Sequence, residues 1–147
     1  MNKPLLKQII EQVGRNPGRL DMRDYVSARA DSRCGSTACI AGWAVCLDMM
    51  NRDKRLSFDK VSKELCDKWG NINWDYEAGK LLRIDERQGV RLFRLERWPE
   101  PFRDDYSMAE CGADREGMAR AAISRIRHFM RTGGADSRPV PGRGLGF

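Results

Sequence analysis

Cys34-Gly-Ser-Thr-Ala-Cys-Ile-Ala-Gly-Trp-Ala-Val-Cys-Leu-Asp-Met-Met50 is the stretch on which the fold turns. From Ala38 to Leu47 it carries no charged side chain. It is too short to cross a bilayer, which takes ~20 apolar residues. A short apolar run bounded by polar sequence predicts an element buried on all sides. Its small residues Ala38, Ala41, Gly42 and Ala44 let neighbouring backbones come close. Ser36 or Thr37 stands where it can cap a helix running from about Ala38 to Met50.

Upstream, Leu5, Leu6, Ile9, Ile10 and Val13 recur at helical spacing, which predicts a helix from Pro4 to Val13 ended by Gly14. Asn16-Pro17-Gly18 is a turn. Met22, Tyr25 and Val26 suggest a second, short helix over Asp21 to Ala30. Downstream, Ser57 caps a helix over 58–69, and another covers 74–84 with Ala78, Leu81 and Leu82 inward. Asp85 followed by Gln88 is a capping-box pattern opening the next helix. Trp98-Pro99-Glu100-Pro101 cannot lie inside a helix, so a long ordered loop is expected to reach Cys111. Asp114 then caps a last helix, 115–131, with Met118, Ala122, Ile123, Ile126, Phe129 and Met130 on its buried face. No alternating strand pattern is visible. The expected fold is all-α: a compact single-domain bundle of about six helices around the buried helix 38–50. The domain covers 1–132, and 133–147 is a basic Gly/Pro-rich tail, flexible unless something holds it.

The 147-residue length matches one domain, able to bury ~68% of its unfolded surface. No charged-then-apolar segment opens the chain and no window is long enough to span a membrane, so no membrane partner is expected. Five cysteines without framework spacing favour reduced thiols and a cytoplasmic location. The charge is uneven. Residues 115–147 hold 7 basic and 2 acidic side chains, against 20 and 19 in residues 1–114. Most of the net +6 therefore lies on the last helix and tail, which favours acidic partners.

Three groups of residues are candidates for function. Arg83, Arg87, Arg91 and Arg94 form one stripe, and Arg120, Arg127 and Arg131 share a face of the last helix, with Arg125 to one side. Unpaired arginines at such spacing suit phosphate or acidic surfaces. No helix-turn-helix or aromatic-interleaved basic motif accompanies them. Trp98, Phe102 and Tyr106, in a proline-stiffened segment, are candidate docking aromatics, with core closure as the plainer reading. Cys34, Cys39 and His128 are the candidate reactive or metal-binding set. Cys39 at a helix N-terminus is expected to have a lowered pKa. No third group orients His128, and no close pair of metal ligands is present, so neither a catalytic set nor a metal or other cofactor is expected.

Cys34-x-x-Thr37-x-Cys39-x-Ala-Gly-Trp-Ala, then Ala78-x-x-Leu81-Leu82, Leu92-Phe93, Trp98-Pro99 and Arg125-Ile-Arg-His-Phe129 together define a pattern. It resembles a group of small bacteriophage, prophage and proteobacterial proteins over roughly residues 34–130. The resemblance implies the context of a mobile-element accessory protein, and small phage proteins of this kind often work by binding a host machine. The expected function is binding of a host protein or ribonucleoprotein complex, for example inhibition of a defence complex such as CRISPR. The alternatives are a nucleic-acid-binding protein using the same arginines, and a cysteine-dependent enzyme or metal site at Cys34, Cys39 and His128.

Overall fold

The computed structural model describes residues 1–28 and 36–136, apart from the side chain of Trp69. Cys34 and residues 137–147 of the tail lie outside the described residues, as does the end of the second helix expected over Asp21 to Ala30. Seven helices pack together among the described residues. Helix α1 spans Lys3–Arg15, with Pro4 in its first turn and the Asn2 side chain accepting from the Leu5 N–H at 3.2 Å. It buries Leu5, Leu6, Ile9 and Val13. Asn2 also ties this helix to the end of α4 (Trp74–Leu82), donating its backbone N–H to the Leu82 carbonyl and its amide to the Leu81 carbonyl.

The apolar stretch forms α2, Ile40–Arg52, and buries Ile40, Ala41, Gly42, Trp43, Ala44, Cys46 and Leu47. Helices α1, α3 (Phe58–Asp67), α4 and α5 (Glu86–Phe93) all pack on it. The bundle is therefore all-α around a buried central helix, as its composition requires. That helix begins two residues later than expected. Thr37–Ala38 is instead a short strand, β2, and Cys39 occupies the N-cap without a capping side-chain bond.

The segment after Asp21 is a correction. It is extended, with Val26–Ser27 forming β1 antiparallel to β2. Its backbone is committed there: the Asp21 N–H donates to the Ala38 carbonyl at 3.1 Å, and the Cys39 N–H is shared between the carbonyls of Asp24 and Tyr25. Pairing with the chain that leads into α2 overrides a weak helical pattern.

The long loop expected after Trp98 is a second correction, because Phe102–Cys111 is a helix, α6. Pro99 and Pro101 precede it, where a missing N–H costs no intrahelical bond. Helix α6 packs along α7, Arg115–Arg131, and α7 in turn packs on α1. The capping box is present as read, with Asp85 accepting from the Gln88 N–H and Gln88 accepting from the Asp85 N–H. Asp114 caps α7 through the Gly117 N–H at 2.9 Å.

Candidate basic docking face

A helix whose inward residues are Leu5, Leu6, Ile9 and Val13 must point Lys3 and Lys7 outward, and both are exposed. On α7, burial of Ile126 and Phe129 likewise turns Arg127 and Arg131 to solvent. Packing of α1 on α7 sets these pairs side by side. Lys3, Lys7, Arg127 and Arg131 line a shallow cavity of about 270 Å³ with Met130. Among the described residues, Lys3, Lys7 and Arg127 enter no ion pair. Four cations around one apolar side chain make a surface ready for an anionic partner.

The other arginines are placed differently. In the first stripe, Arg94 pairs with Asp75 at 3.0 Å, and Arg91 lies 3.6 Å from Asp136 and donates to the Gly134 carbonyl. Arg83, in the left-handed conformation at the end of α4, and Arg87 are exposed. Two of the four arginines of that stripe are thus engaged within the chain, Arg94 with Asp75 and Arg91 with Asp136. Arg120 pairs loosely with Asp114 at 3.8 Å and Glu116 at 4.0 Å. Arg125, expected to one side, is completely buried.

The aromatic docking surface is not a surface. Trp98, Phe102 and Tyr106 are 2%, 4% and 0% exposed. Trp98 meets Tyr106 edge to face and donates its indole N–H to the Leu92 carbonyl at 2.9 Å. Tyr106 accepts from the Met22 N–H at 3.0 Å. Their polar ends are thus satisfied internally, as buried aromatics require.

The thiol reading fares similarly. Cys39 is buried, and loss of solvation pushes its thiol up to about 12, against the lowering expected from the helix terminus. His128 lies beneath Phe102, ring centroids 5.2 Å apart, and burial lowers its pKa. Among the described residues no three His, Cys, Asp or Glu side chains gather where they could hold a metal ion. Two wider grooves of about 540 Å³ run between α4 and α5 and between α6 and α7. Their rims carry both charge signs, including the Asp75–Arg94 and Asp114–Arg120 pairs.

Lys3 and Lys7 were not among the residues singled out from the sequence. Their i, i+4 spacing opposite an apolar stripe was the available signal. No helix of the described residues is long and apolar enough to cross a membrane. Compared with protein-family models, with curated proteins and with solved structures, the chain finds no match.

Proposed function

We propose that this chain is a phage-type accessory protein that binds a host protein or ribonucleoprotein complex and works by occupying it. Inhibition of a defence complex such as CRISPR is the form of that activity the sequence resemblance suggests. The observation that supports the reading is the α1–α7 face, where Lys3, Lys7, Arg127 and Arg131 surround Met130. Lys3, Lys7 and Arg127 enter no ion pair among the described residues, and such cations gain more from an acidic surface than cations already paired, because no existing bond is given up.

The test is capture from bacterial lysate, with and without nuclease, using the native chain and the Lys3→Glu/Lys7→Glu/Arg127→Glu variant. A stoichiometric protein partner that survives nuclease and is lost by the variant is expected. Capture unchanged by the triple reversal would sink the assignment of this face. A nucleic-acid ligand is the second reading, favoured by the same exposed cations Lys3, Lys7 and Arg127. It predicts partners lost on nuclease treatment and affinity falling steeply with salt.

A further inference from the structure

We infer that Arg91, Arg125 and His128 form a built oxyanion site, filled by the chain's own Asp136, which an external phosphate-type oxyanion can take over. Arg125, fully buried in α7, grips the Asp136 carboxylate with both terminal nitrogens, at 2.6 and 2.7 Å. Such fork-to-fork pairing suits a carboxylate or phosphate edge. The guanidinium is fixed from behind by the Arg91 carbonyl, which accepts at 3.0 Å, and lies 5.6 Å from the Phe129 ring. From the other side, Arg91 Nε stands 3.6 Å from one carboxylate oxygen and His128 Nε2 stands 3.9 Å from the other.

The set offers more than Asp136 uses. Two guanidinium charges face one carboxylate, that of Arg125 fully buried and that of Arg91 half-buried. The Nε atoms of both Arg91 and Arg125 are buried with no hydrogen-bond partner among the described residues. Buried donors are normally satisfied, so the unmet Arg91 Nε, 3.6 Å from the anion, marks unused capacity. A phosphate group, with more oxygens and more charge than a carboxylate, would use it.

Asp136 is presented by the turn that ends α7, where its N–H donates to the Thr132 hydroxyl at 3.0 Å. It is returned to α7 by a tight turn in which Gly133, Gly134 and Asp136 itself all take positive φ. A non-glycine residue in that region carries a conformational cost, which the ion pair offsets.

The probe is inorganic phosphate, titrated at constant ionic strength into the native chain and into Asp136→Ala, read by calorimetry and thermal melting. Stoichiometric binding is expected in both, about tenfold tighter in Asp136→Ala because the internal competitor is gone. Adding Arg125→Gln to Asp136→Ala should abolish binding, while adding Lys3→Glu and Arg127→Glu should preserve it. The last arm separates this site from the basic docking face. Absence of binding in either the native chain or Asp136→Ala overturns the inference, as does binding that persists without Arg125. If Asp136→Ala does not fold, Asp136→Asn keeps the shape, removes the charge and is read the same way.

Discussion

Gly42 packs directly against the backbone carbonyl of Tyr25, so closely that a β-carbon at Gly42 would lie 1.7 Å from the carbonyl oxygen. The contact joins the first turn of α2 to the segment entering β1. It explains why the most apolar stretch of the chain is also rich in small residues. Close approach fixes where the central helix begins, and the Cys39 N–H bonds to the Asp24 and Tyr25 carbonyls seal it.

Gly42→Ala should therefore be among the most destabilising single substitutions in the chain. Alanine ordinarily improves a helix by ~1 kcal/mol over glycine. Here the clash is with backbone, which cannot rotate aside, so a net loss of about 3 kcal/mol is expected. Urea unfolding of the two proteins checks this, and an unchanged midpoint would show that β1 moves freely from α2.

Native-state alkylation should sort the thiols by burial. Cys111 is exposed and Cys66 half-buried, while Cys39 and Cys46 are enclosed, with both thiols pushed up by loss of solvation. Of the four cysteines among the described residues, mass spectrometry after brief iodoacetamide treatment should find Cys111 modified first. Cys39 and Cys46 should stay protected until denaturant is added. Rapid labelling of Cys39 in the folded protein would revive a reactive-thiol role.

Tyr106→Phe should cost about 1–3 kcal/mol, because the part-buried Met22 N–H loses its acceptor. Trp98→Ala should cost about 3–5 kcal/mol. Neither side chain is accessible, so partner capture by the folded fraction of Tyr106→Phe should equal that of the native chain. Lost capture at unchanged stability would put the aromatic cluster back at an interface.

Acid should weaken the fold through His128. Its pKa lies below the ordinary value of 6.5, first through burial, with Arg125 and Arg131 adding to the lowering and Asp136 opposing it. Below about pH 6.5 the unfolded chain takes up the proton first, so stability present above that value falls as pH drops. Urea midpoints between about pH 7.5 and 5 should decline in the native chain and decline less in His128→Gln. Equal slopes would assign the acid sensitivity to other groups.

Much of the architecture was legible because it is written locally. The stripe Leu5, Leu6, Ile9 and Val13, the pair Asp85 and Gln88, and the Asp114 cap each act within a turn or two of helix. The two-residue strands were not, since alternation needs a longer run to show. Helix α6 was hidden behind Pro99 and Pro101, although Phe102 and Tyr106, four apart, already traced its buried face.

The candidate site divides differently. Lys3 and Lys7 are more than a hundred positions from Arg127 and Arg131, and only the packing of α1 on α7 brings them together. Arg125 and Arg127 look alike in the sequence, yet one is sealed inside and the other faces solvent.

Local pattern alone determined a predominantly helical chain with the apolar run Ala38–Leu47 at its centre and the excess positive charge toward its end, because periodicity and capping act over single turns. Which arginines bind the chain itself and which remain for a partner was decided only in the tertiary structure. Pairing depends on partners such as Asp75 and Asp136, which lie 19 and 11 positions from the arginines they hold. Spacing along one helix carries no record of carboxylates delivered from another element.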